Sequence, residues 1–159
     1  MKRRSFNLLG LLLCVTVVCA GLVIAAVKGL VPCSLCYLER TLFIVLGVLF
    51  LLSQVTGNRI FNRICTAFIL FFSAVGASFA TWHVFLQEQG HTAQANCGAS
   101  LQYLLKTLPL SEAISHFMAS PQDCGIVDWK FLGLSMAGYA LIAFAINFTI
   151  GFLALRAKD

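Results

Sequence analysis

Four stretches of the chain are almost unbroken in apolar residues, and polar residues gather between them. The runs are 6–27, 41–58, 64–87 and 131–155. None holds an Asp, Glu, Lys or Arg, and His83 is the only histidine in them. Each is close to the roughly 20 residues a helix needs to cross the hydrocarbon layer. Small residues inside the runs, such as Gly76, Ala77, Ser78 and Ala80, suit close helix packing in lipid. The pattern predicts an all-α membrane protein, a four-transmembrane-helix bundle forming one domain over 1–159. Its two outer loops are 28–40 and 88–130. The first run spans 22 residues, longer than the roughly 7–15 of a signal-peptide core, so it reads as a retained span.

The second outer loop has a pattern of its own. Leu101, Leu104, Leu105 and Leu108 follow a helical period, and after Pro109 so do Leu110, Ile114, Phe117 and Met118. This predicts a short amphipathic helical segment lying on the bilayer surface.

Composition narrows the class further. The chain is 60% hydrophobic and 11% charged, where a soluble domain would be about a quarter charged. A net charge of +5 is compatible with nucleic acid, but the basic residues form no stripe. They sit at the ends of the apolar runs, which points to a lipid bilayer and to no nucleic-acid partner. Lys2, Arg3, Arg4, Arg59, Arg63, Arg156 and Lys158 fall on the side of the termini; Lys28, Arg40, Lys106 and Lys130 fall on the other. That asymmetry predicts cytoplasmic termini.

Candidate chemistry lies in the cysteines. There are seven. Cys14, Cys19 and Cys65 lie within spans and read as small apolar residues. Cys33 and Cys36 fall in the first outer loop, and Cys97 and Cys124 in the second, facing a compartment that is oxidising in bacteria. In VPCSLCYLER, Pro32 suits the first position of a helix, which puts both thiols near its start. A helix N-terminus and Cys-X-X-Cys spacing both favour the thiolate. At about 100° per residue, Cys33, Cys36 and Arg40 lie within about 60° of one another, on one face. Arg40 is therefore either a snorkelling end residue or a cation serving the thiol pair. His83, beside Trp82, is either half of an interfacial pair or a polar partner for something bound near Arg40. A Cys97–Cys124 bridge on its polar, glycine-containing ground would be exposed to thiol exchange.

These residues together resemble the DsbB family of bacterial inner-membrane proteins. The resemblance rests on the four spans, on PCSLCYLER heading the second, on the loop cysteine pair, and on DCGIVDWKFLGLSM leading into the fourth. It implies a protein-thiol:quinone oxidoreductase that reoxidises a periplasmic DsbA-like thiol oxidase and passes electrons to the membrane quinone pool, ubiquinone or menaquinone. It implies that Cys97 forms the mixed disulfide with the partner. Cys124 bridges to Cys97 and attacks Cys33, and Cys36 faces the quinone beside Arg40. It places His83 near the quinone, and it implies no resident metal. The vitamin K epoxide reductase type has its Cys-X-X-Cys after the loop pair, and here it comes first. A structural zinc Cys₄ site and a scaffold with static disulfides are the readings without catalysis.

Overall fold

The computed structural model describes residues 3–29, 34–56, 58–89 and 130–157. Four long helices make up nearly all of it: α1 (Arg3–Lys28), α2 (Ser34–Val55), α3 (Arg59–Gln89) and α4 (Met136–Arg156). All four are long and apolar enough to span a membrane. Two-residue strands β1 (Lys130–Phe131) and β2 (Leu134–Ser135) precede α4. The helices pack in a ring, each on its neighbours in sequence, with α4 closing on α1. The fold is the expected all-α four-span bundle. The predicted helical segment of the second loop lies outside the described residues.

Each helix buries one stripe. On α2 it runs Glu39, Phe43, Leu46, Gly47, Phe50, Ser53; on α3 it runs Asn62, Thr66, Ile69, Ser73, Gly76, Ala80, His83, Gln87. Steps of three and four residues keep these positions on one side of a helix. At the centre, Phe43 of α2 stacks on Phe144 of α4 with ring centroids 4.0 Å apart. Gly76 lets Phe144 lie against the α3 backbone, and Gly10 does the same for Phe50 on α1. A methyl group at either glycine would overlap the ring. Large apolar residues such as Leu12, Ile44, Phe71 and Phe148 point outward. Because lipid is as apolar as these side chains, helix association here rests on close packing and interior hydrogen bonds.

Polar side chains tie the interior at several levels. Asn7 donates to Ser53 Oγ at 2.9 Å, joining α1 to α2. Cys14 and Asn147 join α1 to α4, with the Asn147 amide nitrogen 3.6 Å from Cys14 Sγ. Cys14 is thus more than a small apolar filler: its sulfur is a partner for a fully buried amide. Cys65 is buried, and Cys19 is exposed on the outer face.

The fourth apolar run, 131–155, is not helical throughout. Lys130 pairs with Ser135 and Phe131 with Leu134, closing a tight hairpin over Leu132 and Gly133. Both turn residues have positive φ, 51° and 82°, the geometry that a two-residue hairpin turn requires and that Gly133 adopts without strain. Ser135 then caps α4, its hydroxyl accepting from the Gly138 N–H at 3.3 Å. The Tyr139 hydroxyl donates to the Phe131 carbonyl at 2.9 Å and holds the hairpin against the helix.

Candidate functional site

The site grows from the first two turns of α2. Cys36 lies in the first turn, half-buried, at the positive end of the helix macrodipole. Cys33, Cys97 and Cys124 all lie outside the described residues. Arg40 follows Cys36 by one turn, which sets both over the same side of α2.

Arg40 is anchored from a neighbouring helix. Its Nη2 donates to the carbonyl of Gly21 on α1 at 2.9 Å. A β-carbon at Gly21 would sit 3.4 Å from Arg40 Nε, an ordinary contact, so it is the Gly21 carbonyl that holds the guanidinium. A guanidinium carries five N–H donors in a fixed plane. Among the described residues no other acceptor engages them, and the head is only half-buried. The anchored side chain therefore still has donors to offer.

The adjacent residue faces the opposite way. Glu39 is 5% exposed and His83 only 1%. His83 Nδ1 and Glu39 Oε1 are 2.9 Å apart, an acid–base pair joining α2 to α3 inside the bundle. One turn further along α3, Gln87 Nε2 lies 3.4 Å from His83 Nε2. With the carboxylate ionised, the Nδ1 proton donates to Glu39, and Nε2 accepts from the Gln87 amide. If the ring takes a second proton, a turned Gln87 presents its oxygen instead. That oxygen is buried and has no hydrogen-bond partner among the described residues. Glu39, His83 and Gln87 can accordingly hold the ring in either protonation state.

Trp82 does not share this site. It is 53% exposed and packs beside Phe85 on the outer face, because successive helical residues point about 100° apart. Glu39 and Gln87 are the polar residues that the sequence patterning passed over. The signal for Glu39 was its place four residues before Phe43 on the stripe Phe43, Leu46, Phe50, where a carboxylate needs a partner. Gln87 lies four residues beyond His83 on the same face of α3.

A family model described as Disulfide bond formation protein DsbB matches residues 3–154. The chain belongs to the DsbB family. The Disulfide bond formation protein B of Xylella fastidiosa (strain 9a5c) is 32% identical over 161 aligned positions, covering 98% of this chain and 93% of the relative. That of Marinobacter nauticus is 35% identical over 149 positions, 89% of each. That of Methylococcus capsulatus is 33% identical over 146 positions, covering 89% of this chain and 87% of the relative. No solved structure gives a significant match. DsbB membership and the four apolar helices make the protein a multi-pass membrane oxidoreductase of disulfide bond formation.

Proposed function

We propose that the protein reoxidises a DsbA-like periplasmic thiol oxidase and delivers the electron pair to membrane quinone from the bacterial inner membrane, with both termini cytoplasmic. One observation carries the reading. The start of α2 places a half-buried cysteine, an arginine with donors to spare and a buried carboxylate–imidazole pair within two helical turns.

The residues divide the work by what each can reach. A water-soluble partner meets the long second loop, where a partner thiolate attacks Cys97 and forms a mixed disulfide as Cys124 leaves as a thiolate. The partner's second thiol then releases the oxidised partner. Cys124 attacks the Cys33–Cys36 disulfide at Cys33, so Cys36 is freed as the thiolate. Re-forming the Cys97–Cys124 bridge returns Cys33 to its thiol. In sum, two thiols become one disulfide in the partner, and two electrons and two protons leave. Quinone supplies the acceptor for both. Its carbonyl oxygens need hydrogen-bond donors, and the open N–H groups of Arg40 beside Cys36 fit that need. Arg40 stabilises negative charge that builds on the sulfur and on the acceptor's oxygens. His83, oriented by Glu39, holds or yields a proton at its ring nitrogens. The excess of Lys and Arg on the side of the termini supports the cytoplasmic orientation.

The test is turnover of purified protein in detergent with a reduced DsbA-like oxidase and a soluble quinone. One quinone should be reduced per partner disulfide formed. Cys97→Ser should abolish capture of the partner. Cys33→Ser should permit attack on the Cys97–Cys124 bridge, halt onward transfer, and leave the loop pair reduced. Normal turnover by Cys33→Ser would refute the relay order.

A further inference from the structure

The hairpin before α4 carries a leucine that is both strained and exposed. Leu132 sits at the tip with φ 51°, a region where the β-carbon of an L-residue crowds the following carbonyl. Asn, Asp or Gly is the usual residue at this position of a two-residue hairpin turn. The turn therefore gives no reason for a leucine. The core gives none either, because Leu132 is 84% exposed. Its neighbours repeat the pattern, Phe131 at 55% exposed and Leu134 at 39%. We propose that the hairpin is a lipid anchor, with Leu132 inserted among the acyl chains just beneath the headgroups of the leaflet in which α4 begins.

Position in the fold decides the occupant. α4 has 21 residues, about 30 Å of helix, which matches the thickness of the hydrocarbon layer. Its first turn therefore lies at the edge of that layer. The hairpin is fastened to this turn. The Tyr139 hydroxyl donates to the Phe131 carbonyl at 2.9 Å. Leu134 lies against the α4 backbone at Gly138, where a β-carbon would come within 2.8 Å of Leu134 Cδ2. Ser135 adds its cap on the Gly138 N–H. At about 3.3 Å per extended residue, the tip stays within about 10 Å of Ser135, in or beside the headgroup layer.

The apolar surface of the hairpin also continues one that already faces lipid. Tyr139, Ile142 and Ile146 follow one another on one face of α4 by steps of three and four, and Tyr139 is the residue that holds the hairpin. Ile142 is 45% exposed and Ile146 43%, so Leu132 and Leu134 extend a lipid-facing stripe. Lys130, exposed at the base, can lay its stem along the lipid and place its ammonium among the phosphates. Taking the Leu132 side chain out of water offsets the cost of its backbone conformation. A leucine tip that met only water would carry the same strain with no offset.

Tryptophan fluorescence in nanodiscs tests the anchor, with one full-length chain per disc and no quinone in the lipid. The chain's own tryptophans are Trp82 and Trp129, so Leu132→Trp is made together with Trp82→Phe and Trp129→Phe. The probe is phosphatidylcholine brominated near the headgroup end of its acyl chains. It should quench Leu132→Trp as strongly as it quenches Ile142→Trp in the same background, and iodide added to the water should quench both weakly. Strong quenching by iodide and none by the brominated lipid would overturn the proposal. So would lipid-independent emission that shifts only when a DsbA-like oxidase is added, which would make the tip a protein-docking surface. Hydrogen exchange in the same discs gives a readout without a new aromatic residue. Leu132→Ala keeps the strained backbone and removes most of the apolar side chain, so the hairpin amides should exchange roughly tenfold faster. Leu132→Met keeps an apolar side chain and should exchange as the parent does. Unchanged exchange in Leu132→Ala would overturn the proposal, because a side chain that meets only water holds nothing in place.

Discussion

The two ends of the bundle handle charge in opposite ways. At the start of α2 an acid and a base are buried against each other, Glu39 on His83 at 2.9 Å. At the other end four arginines share one cavity wall. The first end satisfies its charged groups within the protein, through side chains from facing helices. The second gathers like charges at the ends of three spans, with Arg3 reaching Thr66 Oγ1 of α3. The difference follows from depth and enclosure. A group enclosed by helices has only protein to pair with, and isolated charge there is expensive. A group at the end of a span has water within reach to solvate its charge.

The largest effect should come from splitting the enclosed pair. His83→Leu leaves the Glu39 carboxylate buried without its base, and breaking such a pair costs about 3–5 kcal/mol. Thermal unfolding in detergent should fall accordingly. Glu39→Leu with His83→Leu should be less destabilising than His83→Leu alone, because no buried carboxylate is then left without its partner. Quinone reduction should fail in both variants, although only the single one is badly destabilised. If the double variant melted no higher than the single one, the pair would not be the interaction at stake.

Arg40 lies between the two behaviours, anchored by Gly21 yet open to a ligand. Arg40→Lys keeps the charge and loses the planar head. Losing one charge-assisted hydrogen bond, about 1.5–3 kcal/mol, should raise the quinone concentration needed for half-maximal turnover at least roughly tenfold. Single-turnover exchange between the partner and the Cys97–Cys124 pair needs no quinone and should be unchanged. Equal loss in both assays would point to a folding defect and leave Arg40 without its role.

The smallest effect belongs to the middle of the bundle, where no charge is involved. Asn147→Leu removes the contact with Cys14, and interior hydrogen bonds between membrane helices average about 0.6 kcal/mol. Replacing Cys14, Cys19 and Cys65 together by Ala should lower the melting temperature modestly and preserve turnover. A well-folded triple variant without turnover would assign one of these thiols to the relay.

Some of this was legible along the chain. The four helices are written in runs of apolar residues, because the bilayer requires about 20 of them for each crossing and forbids unsatisfied backbone within it. Cys36 and Arg40 could be placed on one face because a helix has a fixed angle per residue. The hairpin before α4 was missed, since Leu132, Gly133 and Leu134 are apolar enough to extend the span, and only backbone φ values separate a turn from a helix.

The amino-acid sequence by itself determined the class, the number of crossings and the residues able to carry thiol chemistry, because these depend on local composition and period. Only the tertiary structure decided the partners. Glu39 and His83 are separated by the whole connection from α2 to α3, and no local rule states that their stripes meet at that level. Adjacent Glu39 and Arg40 turn to different helices, α3 and α1. Arg3, Arg59, Arg63 and Arg156 are scattered along the chain and become neighbours only when the ring of helices closes. Pairing is a property of distance across the bundle, and the packing of helices sets that distance.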